Sequence, residues 1–183
     1  RFASRWPSFA RSDVADRRAA PALSVFRSPA DSWPRLVDSA RAGRDAAGDP
    51  AGFPATFGER IRLVGASIDP NTVRPGETLT VTLLLECIAP TELDHNLFVH
   101  LAADDGRSLG QFDGPPLGGS RGTDRWRPGE RIVQPVGVPV PADVLPGIAE
   151  VRVGWYDWRD LERLALPGST DDAADVGTVR VAR

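Results

Sequence analysis

Residues 58–183 consist of short segments in which apolar and polar residues alternate, separated by turns rich in Pro, Gly and Asp. Alternation with a period of two predicts half-buried β-strands, and closely spaced turns predict antiparallel neighbours. About seven to eight such segments follow one another over residues 59–183. This pattern is typical of an all-β fold, an Ig-like antiparallel β-sandwich.

The predicted strand at residues 78–87 carries the clearest alternation. Its odd-numbered residues are apolar, whereas Thr80, Thr82 and Glu86 point the other way. The same parity predicts that five residues are almost fully buried between two sheets: Leu83, Leu85, Val99, Val151 and Val153. Cys87 shares this inward face, so it is predicted to be a small core residue. As the single cysteine, it excludes an internal disulfide.

Proline and glycine mark where the strands end. The tetrapeptide Arg-Pro-Gly-Glu occurs at residues 74–77 and again at 127–130, before two predicted strands. Because the flanking segments differ, we interpret it as one turn used twice. Pro135 and Pro139 lack an N–H to donate, so the strand that contains them is predicted at a sheet edge.

Residues 1–58 have a different composition and form a predicted N-terminal arm or linker, mostly irregular. One short helix is predicted there, with Ser32 as N-cap and Pro34 in its first turn. Nine arginines against six aspartates give the arm a net charge of +3, whereas residues 59–183 carry −6. We expect the arm to bind other protein chains, at least in part. The predicted anchors are its large aromatic residues: Trp6, Phe9, Phe26 and Trp33.

Charge and hydropathy exclude several classes of protein. The net charge of −3 and the lack of a basic patch with interleaved aromatics argue against a nucleic-acid partner. No apolar run reaches the roughly 20 residues of a membrane span. Since the chain has no methionine, we expect Arg1 not to be a native start and the chain to be processed or part of a longer protein.

Catalytic and metal-binding patterns do not emerge from the residues. The sequence has no G-x-S-x-G elbow and no phosphate-binding glycine loop, so we predict no catalytic residue and no cofactor. His95 and His100 are five residues apart in a predicted strand and face opposite sides, which predicts no metal site. The paired aspartates lie in turns, where their side chains favour tight backbone bends; a single structural calcium stays an alternative.

The aromatic segment 155–158 is the candidate ligand site. Trp155 is predicted to face the core together with Trp126, whereas Tyr156 and Trp158 point the other way. Exposed aromatic rings can stack on sugar rings, and Asp157 could bind sugar hydroxyls. Tyr156, Asp157 and Trp158 are therefore the predicted glycan-binding residues; ordinary sheet-capping positions remain the alternative.

Several phrases of the sequence carry a resemblance to known proteins. They include Phe57-Gly58-Glu59-Arg60-Ile61, Phe98-Val99-His100-Leu101, Trp126-Arg127-Pro128-Gly129-Glu130 and Val153-Gly154-Trp155-Tyr156-Asp157. Residues 57–181 resemble the C-terminal β-sandwich domain of Chloroflexota-type membrane glycosyltransferase-like proteins. More distantly, the strand pattern is similar to the Ig-like sugar-recognition domain of polysaccharide ABC exporters. In the glycosyltransferase-like proteins the catalytic machinery lies in the membrane portion, so the resemblance implies no catalytic residue here.

Two functions of different classes follow from these observations. The first is a non-catalytic extracytoplasmic accessory domain that recognises glycan or supports a membrane glycosyltransferase, with polysaccharide as a partner. The second is a structural subunit of a cell-envelope complex or filament whose arm binds neighbouring chains. A β-sandwich hydrolase is a third and weaker hypothesis. The first two differ in whether the arm packs on its own sandwich or on another chain.

Overall fold

Two β-sheets packed face to face form the body of the protein in the computed structural model, which describes residues 54–183 together with Arg35, Val37 and Asp38. The strands are β1 (Ala55–Phe57), β2 (Ile61–Asp69), β3 (Thr72–Val73), β4 (Thr78–Cys87), β5 (Asn96–Ala103), β6 (Ser108–Gly114), β7 (Arg131–Pro139), β8 (Gly147–Tyr156) and β9 (Ala174–Val181). Two short 3₁₀ turns, Pro116–Gly119 and Thr123–Arg125, connect β6 to β7.

The strand order confirms the predicted all-β sandwich. One sheet has the order β1-β2-β4-β7 and the other β3-β9-β8-β5-β6. All pairs are antiparallel except the short parallel pair of β3 with β9. β7 lies at an edge, as its two prolines predicted.

The described residues contain nine strands, more than the seven or eight predicted from alternation. The additional strands are β1 and β3, which are too short to show alternation. β1 begins at Ala55, four residues before the predicted start of the sandwich at residue 59. Between β8 and β9, Tyr156 and Arg163 form a single antiparallel bridge.

The core lies between the two sheets and follows the predicted parity. All five residues predicted to be almost fully buried, Leu83, Leu85, Val99, Val151 and Val153, have no exposed surface. Cys87 is buried as well, and this burial raises the pKa of its thiol above the usual range. β4, β5 and β8 therefore have the inward faces that their apolar residues predicted.

The two Arg-Pro-Gly-Glu segments adopt the same turn at opposite ends of the β4–β7 pair. Gly76 and Gly129 both have positive φ, 88° and 77°, a conformation that favours glycine. In each turn the glutamate carboxylate accepts a hydrogen bond from the backbone N–H of the first arginine: Arg74 N to Glu77 at 2.8 Å, and Arg127 N to Glu130 at 3.0 Å. The prediction of one turn used twice is thus confirmed.

The outer face of the four-stranded sheet carries a small apolar patch on β2, β4 and β7. Leu84 is buried there, with Val64 and Val133 packed around it. Val37, which is helical together with Arg35 and Asp38, packs on this patch. The predicted helix therefore contacts its own sandwich. The four predicted aromatic anchors of the arm, Trp6, Phe9, Phe26 and Trp33, lie outside the described residues.

Within the described part of the chain, no helix has the length and apolar character needed to cross a membrane.

Candidate functional site

The turn that follows β8 is held together by Asp157. Its Oδ1 accepts hydrogen bonds from the backbone N–H of Arg159 and from Arg159 Nη1, both at 2.9 Å. The backbone hydrogen bond and then the guanidinium lower the pKa of Asp157. Asp157 is also buried, at 7% exposure. One of its carboxylate oxygens, Oδ1, therefore stabilises the turn.

Acid should weaken this turn in a defined pH range. Because the folded-state pKa of Asp157 is lowered, its stabilisation is present above the unfolded-state value of about 3.8 and is lost as the pH falls through the folded-state pKa. We expect Asp157→Asn to flatten the loss of stability between about pH 5 and pH 2. Urea unfolding midpoints measured across that range test this, and an unchanged acid profile in the variant would contradict it.

Tyr156 and Trp158 occupy different settings although they flank the same aspartate. Tyr156 ends β8 on the outer face of the five-stranded sheet, where its hydroxyl accepts a hydrogen bond from Asn96 Nδ2 at 3.4 Å. Burial raises the pKa of Tyr156. Trp158 lies in the turn and is 53% exposed, with the guanidinium carbon of Arg159 4.6 Å from its ring centroid. Trp158 is thus the ring of the predicted site that is most open to a ligand.

Trp126 and Trp155 are core residues, as predicted. Their rings meet edge to face, with centroids 5.6 Å apart. Neither indole N–H has an acceptor in the structure. These two tryptophans therefore support the sandwich from inside and do not reach the ligand-accessible face.

Phe98 is the centre of the outer face of the five-stranded sheet. It is only 2% exposed although it points away from the core. Its ring lies over Gly154, the paired residue on β8. A Cβ at Gly154 would come within 2.3 Å of Phe98 Cζ, so only glycine leaves room for the ring. On its other side, the Arg163 guanidinium carbon lies 4.5 Å from the ring centroid, a cation–π geometry.

A cavity of about 100 Å³ opens beside Phe98 on this face, and we call it the sheet cavity. Its wall is mostly apolar, with a few polar side chains that converge on it. The residues that line it are Phe98, His100, Leu101, Ala102, Ser108, Gln111, Arg152, Arg163, Asp171 and Ala173. At about 10–15 Å³ per water position, this volume holds a group of several heavy atoms.

Asp171 connects the two arginines of the sheet cavity. Its Oδ1 accepts a hydrogen bond from Arg152 Nη2 at 2.8 Å, and its backbone carbonyl accepts one from Arg163 Nη1 at 2.6 Å. Ser169 also donates its hydroxyl to Asp171 Oδ1, at 3.1 Å. Arg152 Nε is buried and has no acceptor. The loop after β8 therefore returns across the sheet and brings Arg163 and Asp171 to the cavity that Arg152 of β8 also lines.

A second depression, the end cleft, adjoins the sheet cavity at one end of the sandwich. Its volume is about 340 Å³, and Asp157 and Arg163 both line it. Four carboxylates reach it, from Glu92, Asp157, Asp160 and Glu162, together with His95 and Arg60. Since Arg163 lines both depressions, it forms the boundary between them.

Sequence reasoning found the end cleft in part and missed the sheet cavity. Asp157 lines the end cleft, whereas neither Tyr156 nor Trp158 lines either depression. Phe98, Arg152, Arg163 and Asp171 come from three separate segments, which only the tertiary fold brings together. The available signal was Gly154, because a glycine inside a strand often marks a close approach of another group.

In the described ranges, no three histidine, cysteine or acidic side chains are grouped so that they could hold a metal ion. His95 and His100 are separate: His95 Nδ1 lies 2.7 Å from the carbonyl oxygen of Leu93, and His100 Nε2 lies 3.0 Å from Asp113 Oδ2.

Comparison with known proteins finds structural similarity at low sequence identity. No protein-family model matches the sequence, and no curated protein matches it. The C-terminal domain of Wzt is similar to this chain at 12% identity and a TM-score of 0.47, covering 67% of this chain and 74% of that one. A Niemann–Pick type C2 protein from the Japanese carpenter ant is similar at 8% identity and a TM-score of 0.37, covering 73% and 94%.

A third likeness is to the alkylpurine DNA glycosylase AlkC of Pseudomonas fluorescens, at 14% identity and a TM-score of 0.39, over 68% of this chain and 31% of that one. With a TM-score below 0.5, the likeness to Wzt does not decide the more distant of the two resemblances drawn from the sequence. Nothing in the comparisons tests the nearer one, to the glycosyltransferase-like proteins. At these scores, none of the likenesses assigns a ligand to this chain.

Proposed function

We propose that this protein is a non-catalytic carbohydrate-recognition domain that binds glycan along the outer face of its five-stranded sheet. The observation that carries the proposal is the sheet cavity: a mostly apolar wall beside Phe98, with a few polar side chains converging on it. Small-molecule sites have this composition, in which apolar contacts supply area and a few polar groups fix orientation.

The sheet cavity matches the two kinds of surface on a sugar ring. Ala102, Ala173 and the edge of Phe98 offer apolar contact to C–H groups. The Gln111 amide can both donate and accept, as sugar hydroxyls do, and the Ser108 hydroxyl can do the same. This combination suits a hydroxyl-rich ring better than a wholly apolar ligand.

The end cleft extends the surface beyond one sugar. It adjoins the sheet cavity at Arg163 and offers carboxylates that accept hydrogen bonds from hydroxyls. Trp158, exposed in the turn that also carries Asp157, offers a ring face for stacking. We therefore propose an oligosaccharide that runs from the sheet cavity across Arg163 into the end cleft.

The setting proposed for this binding is extracytoplasmic, as an accessory domain of a larger assembly. The contact of Val37 with the patch around Leu84 agrees with an arm that packs on its own sandwich, which is the arrangement expected for an accessory domain. Supporting a membrane glycosyltransferase remains part of this proposal.

Glycan binding should depend on both depressions. We expect Gln111→Ala, in the sheet cavity, and Trp158→Ala, beside the end cleft, each to weaken binding about 5- to 50-fold, the equivalent of one or two lost hydrogen bonds or a lost stacking contact. Isothermal titration and tryptophan fluorescence with mannan, dextran and polygalacturonate fragments measure this. Thr80→Ala, exposed on the opposite sheet, is the matched control and should bind as the wild type.

Two results would contradict the proposal in different ways. If Trp158→Ala binds glycan with unchanged affinity, the turn is not part of the binding site, and the proposal is restricted to the sheet cavity. No saturable binding of any of the three glycans to the wild-type protein contradicts carbohydrate recognition at this surface.

A further inference from the structure

One of the two arginines of the sheet cavity has no carboxylate partner among the described residues. Arg152 is compensated by Asp171 at 2.8 Å, with Glu150 at 3.8 Å on its other side. Arg163, by contrast, forms no ion pair with any carboxylate in the part of the chain that the structure describes. Its partners are the backbone carbonyl of Asp171 and the face of Phe98. Arg163 is therefore a cation at the cavity wall that has no carboxylate at ion-pair distance among the described residues.

A second donor in the same cavity is also unused. Arg152 Nε is buried without an acceptor. A buried N–H without a partner lowers stability, and more so when it belongs to a charged group. Arg152 and Arg163 both bind Asp171, and both line this cavity.

From this geometry we propose that the sheet cavity selects a sugar that carries a carboxylate, that is, a uronic-acid type residue. The inference rests on the proposed glycan binding and names its ligand class. The carboxylate of such a sugar can pair with the Arg163 guanidinium and accept hydrogen bonds from its N–H groups that do not bind Asp171. The apolar wall of Ala102, Ala173 and Phe98 then contacts the sugar ring.

Asp171 does not oppose this arrangement. Its carboxylate accepts hydrogen bonds from Arg152 Nη2 and from the Ser169 hydroxyl, so its charge is already compensated inside the protein. The carboxylates of Glu92, Asp157, Asp160 and Glu162 line the end cleft and not the sheet cavity. The acidic sugar is therefore placed in the sheet cavity, and the neutral part of the oligosaccharide in the end cleft.

The test compares trigalacturonate with its methyl ester, which keeps the sugar rings and removes the charge. In wild-type protein, we expect the acid to bind at least tenfold more tightly than the ester, with the preference shrinking as salt rises from 50 to 300 mM. Arg163→Gln should reduce the preference to about one, and Arg163→Lys, which keeps the charge, should retain part of it. Arg180→Gln, on β9 of the same sheet and outside the cavity, should leave it unchanged.

Thermal unfolding of each variant verifies that the fold is kept, since Arg163 also packs on Phe98. Equal binding of acid and ester to the wild type overturns the acidic-sugar inference and leaves glycan recognition standing. A preference that survives in Arg163→Gln overturns the assignment to Arg163. Binding of neither ligand, nor of mannan and dextran, defeats the proposed function and this inference with it.

Discussion

Leu83→Ala should lower the free energy of unfolding by about 2–5 kcal/mol. Leu83 lies on the inward face of β4, between the two sheets, and has no exposed surface. Truncation removes apolar contacts and leaves a cavity that the close-packed sheets cannot fully collapse. Urea titration monitored by circular dichroism measures the change. We expect the m-value, the slope of the free energy of unfolding against urea concentration, to stay constant.

The matched control for this substitution is Thr80→Ala on the same strand. Thr80 is exposed on the outer face, so its loss should cost less than about 1 kcal/mol, set by strand propensity alone. If the two variants lost similar stability, the inward register of β4 would be wrong. A loss at Leu83 well below 1 kcal/mol would contradict it as well.

Gly154→Ala should destabilise the protein by about 1–3 kcal/mol and abolish ligand binding at the sheet cavity. The new methyl group would lie 2.3 Å from Phe98 Cζ and 2.8 Å from the backbone oxygen of Asp172. Both neighbours would have to move, and with them Arg163, which packs on Phe98, and the loop that contains Asp171. An alanine ordinarily stabilises a strand relative to glycine. At residue 154 we expect alanine to lower the free energy of unfolding instead, because of this close contact alone.

Gly147→Ala tests that explanation in the same strand. A Cβ at Gly147 would meet only Leu109 Cδ1, at 3.7 Å, which is an ordinary van der Waals contact. We expect its stability to stay within about 0.5 kcal/mol of the wild type and its glycan affinity to be unchanged. A Gly154→Ala variant that matched Gly147→Ala in both measurements would contradict the packing of Phe98 over β8.

Alternation and turn chemistry predicted most of the sandwich because both are local properties of the chain. The inward parity of β4, β5 and β8 placed all five tested core residues correctly. Pro135 and Pro139 indicated an edge strand, which β7 is, since a missing N–H is tolerated only where no further strand pairs. Pattern reading failed at β1 and β3, which are too short for alternation to appear.

The candidate site was only partly predictable for a related reason. Trp158 and Asp157 could be found because aromatic and acidic residues next to one another in a turn are visible in the sequence. The sheet cavity could not, because Phe98, Arg152 and Arg163 belong to segments far apart along the chain. Phe98 also has the outward parity of an exposed residue, although Arg163 and the returning loop cover it.

The sequence by itself thus determined the fold class, the inward face of each long strand and the places where the chain turns. These three properties follow from the alternation of apolar and polar residues with a period of two, and from the backbone restrictions of proline and glycine. Both act over only a few residues. Only the tertiary structure decided that the loop after β8 returns across the outer face of the sheet and brings Arg163 to the cavity that Arg152 of β8 also lines. That placement depends on Gly154 leaving room for Phe98 and on Asp171 binding both arginines, contacts between residues that no local pattern relates.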